Sequence, residues 1–344
     1  MPTGSNEADQ RIKAYFRKIN AINFVSSMVA LFPTIIAIFA EVPFWYFFPL
    51  VATQVLLLSL LSYYKYYIDK KARNIEINPG RYVLENTMSY AVFSFALPIL
   101  FFLLRLFYSL SSLQRVFVIN VLFVLILLFI LSNLPASRLV KISTPLDDQY
   151  LVEKANELSK KLSTGPLGLY VMKLGRFRIA NAGQVGTRKY SVFITDYLLE
   201  NLSPEENVAV IAHEFAHAKE KHVLKTATIA WSISAICANL MVYPVDVGTY
   251  PLLALTLPLG GFIFLFISIF LIIPAIQRRF EAKADLIAAS VVNGMDLVNA
   301  LQKISRLNFT PSDISRHWSL DHPPTRERVI KIISYTRTRK PQNQ

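Results

Sequence analysis

The chain has 344 residues, of which 53% are hydrophobic, and it carries a formal net charge of +13. Several uncharged stretches of about 20 residues, each long enough to cross ~30 Å of hydrocarbon, exclude an ordinary soluble protein. The single cysteine, Cys237, excludes an intrachain disulfide and a thiolate metal cluster.

Six apolar stretches are predicted to span a membrane. They cover approximately residues 20–40, 42–64, 86–104, 116–137, 226–245 and 250–275. Lysines and arginines cluster before the first stretch and after the second, fourth and sixth. This distribution predicts that both termini and the polar region between the fourth and fifth stretches face the cytoplasm of a cell membrane. The same clusters account for much of the net charge, which indicates contact with membrane lipid and not with nucleic acid.

Residues 138–225 form the sizeable polar region of the chain. The apolar pattern there predicts six elements in this order: a helix over Asp147–Leu162, strands over Leu167–Leu174 and Arg176–Ala180, a turn over Asn181–Gly186, a third strand over Tyr190–Ile194, and a helix over Asp196–Leu202. The third strand, with Val192 at its centre, is predicted to be an edge strand. Such an edge could pair with the backbone of an extended substrate.

The pentapeptide that runs from His213 to His217 has the H-E-x-x-H spacing, which places two imidazoles on one helical face. A helix is predicted to begin ahead of it, because Ser203 is a good N-cap, a proline follows, and Glu206 completes a capping box. Both rings could then reach one Zn²⁺, with Glu214 beside the open position of the metal. This arrangement predicts peptide-bond hydrolysis with Glu214 as the general base.

A catalytic zinc ion needs three protein ligands and a water, so a third donor is expected elsewhere. His222 is near in sequence, but on a continuous helix it would point about 500° around the axis from His217, and it is expected to be a capping or interfacial residue. Glu281 is favoured instead. The fifth and sixth spans form a hairpin that returns the chain to the same membrane face, where a new helix carries Glu281. Asp285, one turn further, is predicted to accept a hydrogen bond from a ligating imidazole.

At these residues the chain resembles the HtpX-like membrane metallopeptidases, whose wider family includes the type I CAAX prenyl protease and the mitochondrial Oma-type proteases. The resemblance covers about residues 145–335. Its motifs occur in this order: Asn181-Ala182, the H-E-x-x-H pentapeptide, a pair of spans, Glu281 to Asp285, and His322-Pro323-Pro324 followed by Arg328.

The resemblance implies that His213, His217 and Glu281 hold one Zn²⁺ per chain. It also implies that His322 and Arg328 lie near the cleft, where they could donate hydrogen bonds to the oxyanion of the tetrahedral intermediate. The expected substrate strand contains the following residues: Asn181, Ala182, Tyr190, Val192 and Ile194.

The patterns together predict a polytopic α-helical membrane protein with about six transmembrane helices and a cytoplasmic α+β zincin-like (gluzincin) metallopeptidase domain. Four parts are predicted: an N-terminal membrane domain (1–137), a metallopeptidase segment with the H-E-x-x-H helix (138–225), a transmembrane hairpin (226–275) and the C-terminal part of the peptidase domain (276–344).

The expected substrates are proteins or peptides. The resemblance implies misfolded membrane proteins among them, as part of quality control or a stress response. Four spans precede the catalytic segment, where bacterial heat-shock members usually have two. Two alternatives stay open, a CAAX-type prenyl-protein protease and a non-proteolytic zinc-containing membrane transporter or scaffold. The sequence indicates no oligomeric state.

Overall fold

The computed structural model describes most of the chain and divides it into two units. The described residues are 3–39, 44–88, 90, 110–131, 139–165, 167–186, 190–243, 245–246, 248–311 and 323–339. The first unit comprises Met1–Ser111 with the short segments Arg176–Arg178 and Phe309–Pro311, and the second comprises the rest.

The described part of the first unit is mostly helical. Its elements are α1 (Thr3–Phe39), a 3-10 turn (Phe44–Tyr46), α2 (Phe47–Arg73) and α3 (residues 79–88). Buried Asp69 near the end of α2 joins all three α-helices, because its carboxylate accepts hydrogen bonds from the hydroxyls of Tyr15 on α1 and Tyr82 on α3. Helix α2 ends at Asn74, whose left-handed backbone (φ 52°) stops the helix.

The described part of the second unit contains a four-stranded sheet, a short helical segment over residues 139–142 and nine longer α-helices. The strands are β1 (Thr144–Pro145), β2 (Gly168–Met172), β3 (Ala182–Val185) and β4 (Ser191–Thr195). The longer helices are α4 (Ser112–Leu131), α5 (Gln149–Leu162), α6 (Asp196–Asn201), α7 (Pro204–Glu220), α8 (His222–Val242), α9 (Pro251–Ile267), α10 (Ile273–Val291), α11 (Gly294–Leu307) and α12 (Thr325–Arg339).

The sheet has the strand order β1-β2-β4-β3, in which β4 runs parallel to β2 and antiparallel to β3. The prediction that Tyr190–Ile194 forms an edge strand is therefore wrong. Strand β4 lies between two neighbours, and Val192 and Ile194 are buried. A strand buried on both faces is continuously apolar rather than alternating, and Val192, Phe193 and Ile194 at the centre of β4 form such a run.

The edge strand next to α7 is β3. It lies within Asn181–Gly186, a segment that the sequence predicts to be a turn. Pairing stabilises the strand despite its unfavourable composition, because Asn181 N–H donates to Thr195 Oγ1 and Thr195 N–H donates to the Asn181 carbonyl. The strand predicted over Arg176–Ala180 is also wrong. That segment begins in a 3-10 turn, Gly175–Phe177, and continues to Arg178 in the left-handed region (φ 50°).

Four helices in the described part of the chain are long and apolar enough to cross a membrane. They are Phe48–Arg73, Ser112–Phe129, His222–Met241 and Pro251–Val291. These correspond to four of the six predicted spans. The stretch 20–40 falls largely within α1, which is not among the four, and most of the stretch 86–104 lies outside the described residues.

Helices α8 and α9 form a close pair, as the predicted hairpin requires. A side chain at Gly261 on α9 would place its Cβ only 3.0 Å from the Cys237 carbonyl on α8, so glycine permits the approach. Helix α4 packs beside α8, where Trp231 Nε1 donates to the Phe123 carbonyl across 2.8 Å.

The sequence predicts that a new helix, which carries Glu281, begins after the sixth span. This prediction is wrong. A π-helical turn, Ser268–Ile272, joins α9 to α10, so the chain is helical from Pro251 to Val291. Pro274 follows this turn. Because proline lacks an N–H and its ring clashes with the carbonyl four residues earlier, a local widening of the helix accommodates it. The membrane helix is thereby continuous with the helix that enters the site.

Candidate metal centre

Helix α7 holds the pentapeptide rigidly. Its N-terminus has the predicted capping box, in which Ser203 Oγ accepts from Glu206 N–H at 3.2 Å and Glu206 Oε2 accepts from Ser203 N–H at 2.8 Å. Ile211 and Phe215 are almost fully buried in a core formed with the sheet and with α5, α10 and α11. The helix therefore carries its polar residues on a fixed scaffold.

Two imidazoles and a carboxylate converge beside α7. His213 Nε2 and His217 Nε2 are 3.1 Å apart. Glu281 on α10 places Oε1 3.3 Å from His217 Nε2 and Oε2 3.5 Å from His213 Nε2. One ligand atom from each residue lies within 4.8 Å of the other two. Two imidazole nitrogens and one carboxylate oxygen are a donor set that suits a catalytic zinc ion, so the residues fit the metal.

Asp285 and Arg328 border these three residues, and Arg328 Nη2 lies 3.4 Å from His213 Nε2 and 3.5 Å from Glu281 Oε2. Asp285 Oδ1 is 3.1 Å from His213 Nδ1, on the side of the ring away from Glu281. Arg328 on α12 binds Asp285 through two contacts, Nη2 to Oδ1 at 2.7 Å and Nε to Oδ2 at 2.8 Å. Both side chains are buried. Asp285 lies beside a ligating imidazole as predicted, whereas the hydrogen bond between them stays a prediction. The pairing of Asp285 with Arg328 was not predicted.

The carboxylates control the protonation of His213. Burial alone would lower the pKa of this imidazole, but hydrogen bonds and charges from Asp285 and Glu281 outweigh burial and raise the pKa to about 10. Burial likewise opposes the charge of Arg328, whereas Asp285, Glu281 and Glu214 raise the pKa of the guanidinium above its ordinary value. The centre is thus an acidic pocket that attracts a proton or a cation.

Glu214 is buried beside the two histidines on α7. The negative charge of Glu214 contributes to the raised pKa of Arg328, so the Glu214 carboxylate lies near the same pocket. His322, the other predicted oxyanion donor, lies outside the described residues. Asn181 and Ala182 lie at the edge strand β3, whereas Tyr190 precedes the inner strand β4 and is not in an edge strand.

His222 lies beside His217, contrary to the expectation that it would point away. The two Nδ1 atoms are 3.0 Å apart, and the His222 ring is buried. The expectation assumed one continuous helix. Instead Lys221 adopts a left-handed conformation (φ 54°, ψ 40°), which ends α7 and starts α8 in a new direction.

Comparison with known proteins is consistent with this geometry. The profile of peptidase family M48 matches residues 145–336, which is more than half of the chain. A "Protease HtpX homolog" from Gemmatimonas aurantiaca is 30% identical over 172 residues, which cover 41% of this chain and 60% of the relative. A "CAAX prenyl protease 1 homolog" from Homo sapiens is 32% identical over 142 residues, which cover 36% of this chain and 30% of the relative.

The fold is similar to that of a solved membrane protein. The crystal structure of S. mikatae Ste24p superposes with a TM-score of 0.64 at 17% identity, covering 95% of this chain and 88% of that one. This similarity concerns the fold alone. In sequence, the chain spans 60% and 30% of the length of the two curated relatives it matches.

Proposed function

Since the chain belongs to peptidase family M48, we propose that it is a zinc-dependent endopeptidase that hydrolyses peptide bonds at a membrane. The convergence of His213, His217 and Glu281 is the observation that carries the proposal. These three residues would hold the ion. When bound, Zn²⁺ would polarise the scissile carbonyl and lower the pKa of a water toward ~7.

Glu214 is the proposed general base and acid. It follows His213 directly and is buried at the same pocket, so its carboxylate can remove a proton from the attacking water. The same group can then return the proton to the leaving amine nitrogen. This exchange leaves Glu214 in its starting state at the end of the reaction.

Asp285 is proposed to orient His213. Its Oδ1 lies 3.1 Å from Nδ1, so it would hold the proton of the ring at Nδ1 and leave the Nε2 lone pair for the metal. The two contacts from Arg328 hold Asp285 in place and neutralise part of the pocket's negative charge. Arg328 Nη2 also reaches the pocket itself, 3.4 Å from His213 Nε2 and 3.5 Å from Glu281 Oε2, so we propose a positioning role beside the oxyanion role expected from the sequence. The oxyanion role proposed for His322 is unchanged.

The edge strand β3 is the proposed docking position for an extended substrate, in place of the inner strand β4. Its outer side has no strand neighbour in the described sheet, and it packs on α7, which carries the metal ligands. At Gly183 an added Cβ would meet no described atom within 4 Å. A substrate backbone could therefore pair with β3 close to His213 and His217.

The remaining proposals concern location and substrate. The basic clusters favour a multi-pass protein of the cell membrane with its active site and both termini in the cytoplasm. Misfolded membrane proteins are proposed substrates. Prenyl-protein processing is a second candidate, favoured by the relative that is named a CAAX prenyl protease 1 homolog. Incubation with a prenylated C-terminal peptide and with unfolded casein separates the two.

The proposed function is tested by Glu214→Gln in detergent-purified protein. Wild-type protein should cleave casein or itself, and a chelator should abolish cleavage until zinc is restored. The variant should bind zinc as wild type does but lose cleavage by about 10²-fold or more, since general base catalysis typically contributes 10²–10⁴-fold. Cleavage by the variant at the wild-type rate would exclude Glu214 as the base.

A further inference from the structure

His222 makes two contacts that the proposed mechanism does not use. Its Nδ1 lies 3.0 Å from Nδ1 of His217, and its ring stacks on Phe280 with centroids 4.3 Å apart and an interplanar angle of 9°. The side chain is only 3% exposed. Phe280 directly precedes Glu281, so His222 contacts both one imidazole of the centre and the helix that supplies the carboxylate.

The backbone is arranged to make the contact with His217. A continuous helix would carry residue 222 well away from residue 217, because five residues rotate by about 500°. The left-handed Lys221 interrupts the helix, and its N–H donates to the carbonyls of Ala218 and His217. Lysine has no intrinsic preference for this conformation, so the surrounding packing must maintain it. His222 therefore folds back onto the preceding turn.

Whether an imidazole nitrogen carries a proton determines whether it donates a hydrogen bond, or accepts one or binds a metal. His213 and His217 both direct Nε2 toward Glu281, so zinc would bind both rings through Nε2. A neutral imidazole that binds metal through Nε2 carries its proton on Nδ1 and needs an acceptor there. Beside His213 Nδ1, Asp285 Oδ1 lies 3.1 Å away and is placed to be that acceptor. For His217 the atom in that place is Nδ1 of His222.

We propose that His222 is a positioning residue whose Nδ1 accepts the hydrogen bond of His217 Nδ1–H and so fixes the tautomer and orientation of that ligand. The proton of His222 then resides on Nε2. This inference rests on the proposed zinc site. It gives the two histidine ligands different supports, a carboxylate behind His213 and a neutral imidazole behind His217. His222 touches neither substrate nor metal.

Four substitutions separate hydrogen-bond acceptance from packing. In His222→Asn the amide Oδ1 occupies the place of Nδ1 and keeps the acceptor, whereas His222→Leu has nearly the same shape without it. His222→Phe keeps a ring for stacking on Phe280 but has no acceptor. Lys221→Gly is the backbone control, since glycine adopts φ 54° without strain and should leave the contact intact.

The measurement is the zinc dissociation constant of the full-length purified protein, obtained by competition with a chromophoric chelator. The absorption spectrum of the Co²⁺-substituted protein is a second readout. The melting temperature of the metal-free protein identifies variants that fail to fold. Loss of an outer hydrogen-bond partner typically weakens metal binding by 10–100-fold. We expect a loss of about that size in His222→Phe and His222→Leu, with a shifted Co²⁺ spectrum, and near wild-type affinity in His222→Asn and Lys221→Gly.

Each outcome decides the proposal. Weaker zinc binding by His222→Leu than by His222→Asn supports the proposal, even if His222→Phe does not fold. Wild-type affinity in the leucine variant, or equal losses in the leucine and asparagine variants, would overturn it. If wild-type protein itself binds no zinc, the proposed function fails first. If wild type binds zinc and cleaves protein while all variants bind equally, only the role of His222 is wrong.

Discussion

The guanidinium of Arg328 and the carboxylate of Asp285, 43 residues apart in sequence, form two hydrogen bonds of 2.7 and 2.8 Å in the interior of the protein. Asp285 in turn contacts His213 Nδ1 at 3.1 Å. Helix α12 thereby stabilises the position of a metal ligand that it does not itself contribute. A change in Asp285 should consequently affect both folding and metal binding.

Asp285→Asn should weaken zinc binding by about 10–100-fold, because the amide still offers an oxygen but removes the negative charge beside His213 Nδ1. Breaking a buried ion pair also leaves Arg328 without its counter-charge and typically lowers the free energy of unfolding by about 3–5 kcal/mol. Chelator competition and chemical unfolding of the metal-free protein measure the two effects. Glu153→Gln, which neutralises an exposed carboxylate on α5, should change neither quantity. Unchanged zinc affinity in Asp285→Asn would exclude this positioning role.

Zinc affinity should rise with pH. In the metal-free protein the pKa of His213 is about 10, so near neutral pH the ring is protonated and zinc must displace that proton. Displacing one proton raises the apparent association constant by about tenfold per pH unit below the pKa. Competition titrations at pH 6.5, 7.5 and 8.5 measure this slope. Asp285→Asn should flatten it by lowering the pKa of His213, whereas an affinity independent of pH in wild type would contradict the raised value.

Ser203→Ala should destabilise α7 without affecting the ligands directly. The substitution removes the oxygen that accepts from Glu206 N–H, and loss of an N-cap typically costs about 1 kcal/mol. Thermal or chemical unfolding of the purified protein measures the loss. Ser334→Ala, at an exposed position within α12, should leave stability unchanged or slightly higher because alanine favours helix. Equal stability of the two variants would mean that the cap contributes nothing.

Pairing of substrate with β3 predicts a dependence on backbone N–H groups. N-methylation removes one donor at a time from a cleaved peptide, while its side chains stay the same. Because alternate residues of a strand direct their N–H groups to opposite sides, we expect kcat/KM to fall at alternate positions around the cleaved bond. The fall should be about tenfold per lost hydrogen bond, within the range of 0.5–1.5 kcal/mol each. Uniform tolerance of N-methylation would exclude strand pairing.

Local signals in the sequence were sufficient to locate the motif helix. The capping residues Ser203 and Glu206 and the apolar positions around His213 lie within a few turns, and the helix begins at Pro204 as predicted. The position of Glu281 beside His217 follows from a longer-range constraint, the return of a helical hairpin. A pair of apolar helices restricts where the chain can emerge, even though α9 and α10 form one helix through a π turn.

The errors arose where distant residues decide local structure. The segment Asn181–Gly186 has the composition of a turn, yet pairing with β4 makes part of it a strand. The left-handed conformation of Lys221 has no signature in its side chain, and so the approach of His222 to His217 could not be predicted. The pairing of Arg328 with Asp285 depends on how α12 packs against α10, which no local pattern encodes.

His213, His217 and Glu281 are proposed to hold one zinc ion together. Metal analysis of purified wild-type protein and Glu281→Gln tests this directly, with Glu153→Gln as the matched control. We expect one zinc per chain in wild type and in the control. We expect Glu281→Gln to lose zinc under the same dialysis, with the protein still folded. Wild-type protein without zinc, or Glu281→Gln that keeps a full equivalent, would contradict it.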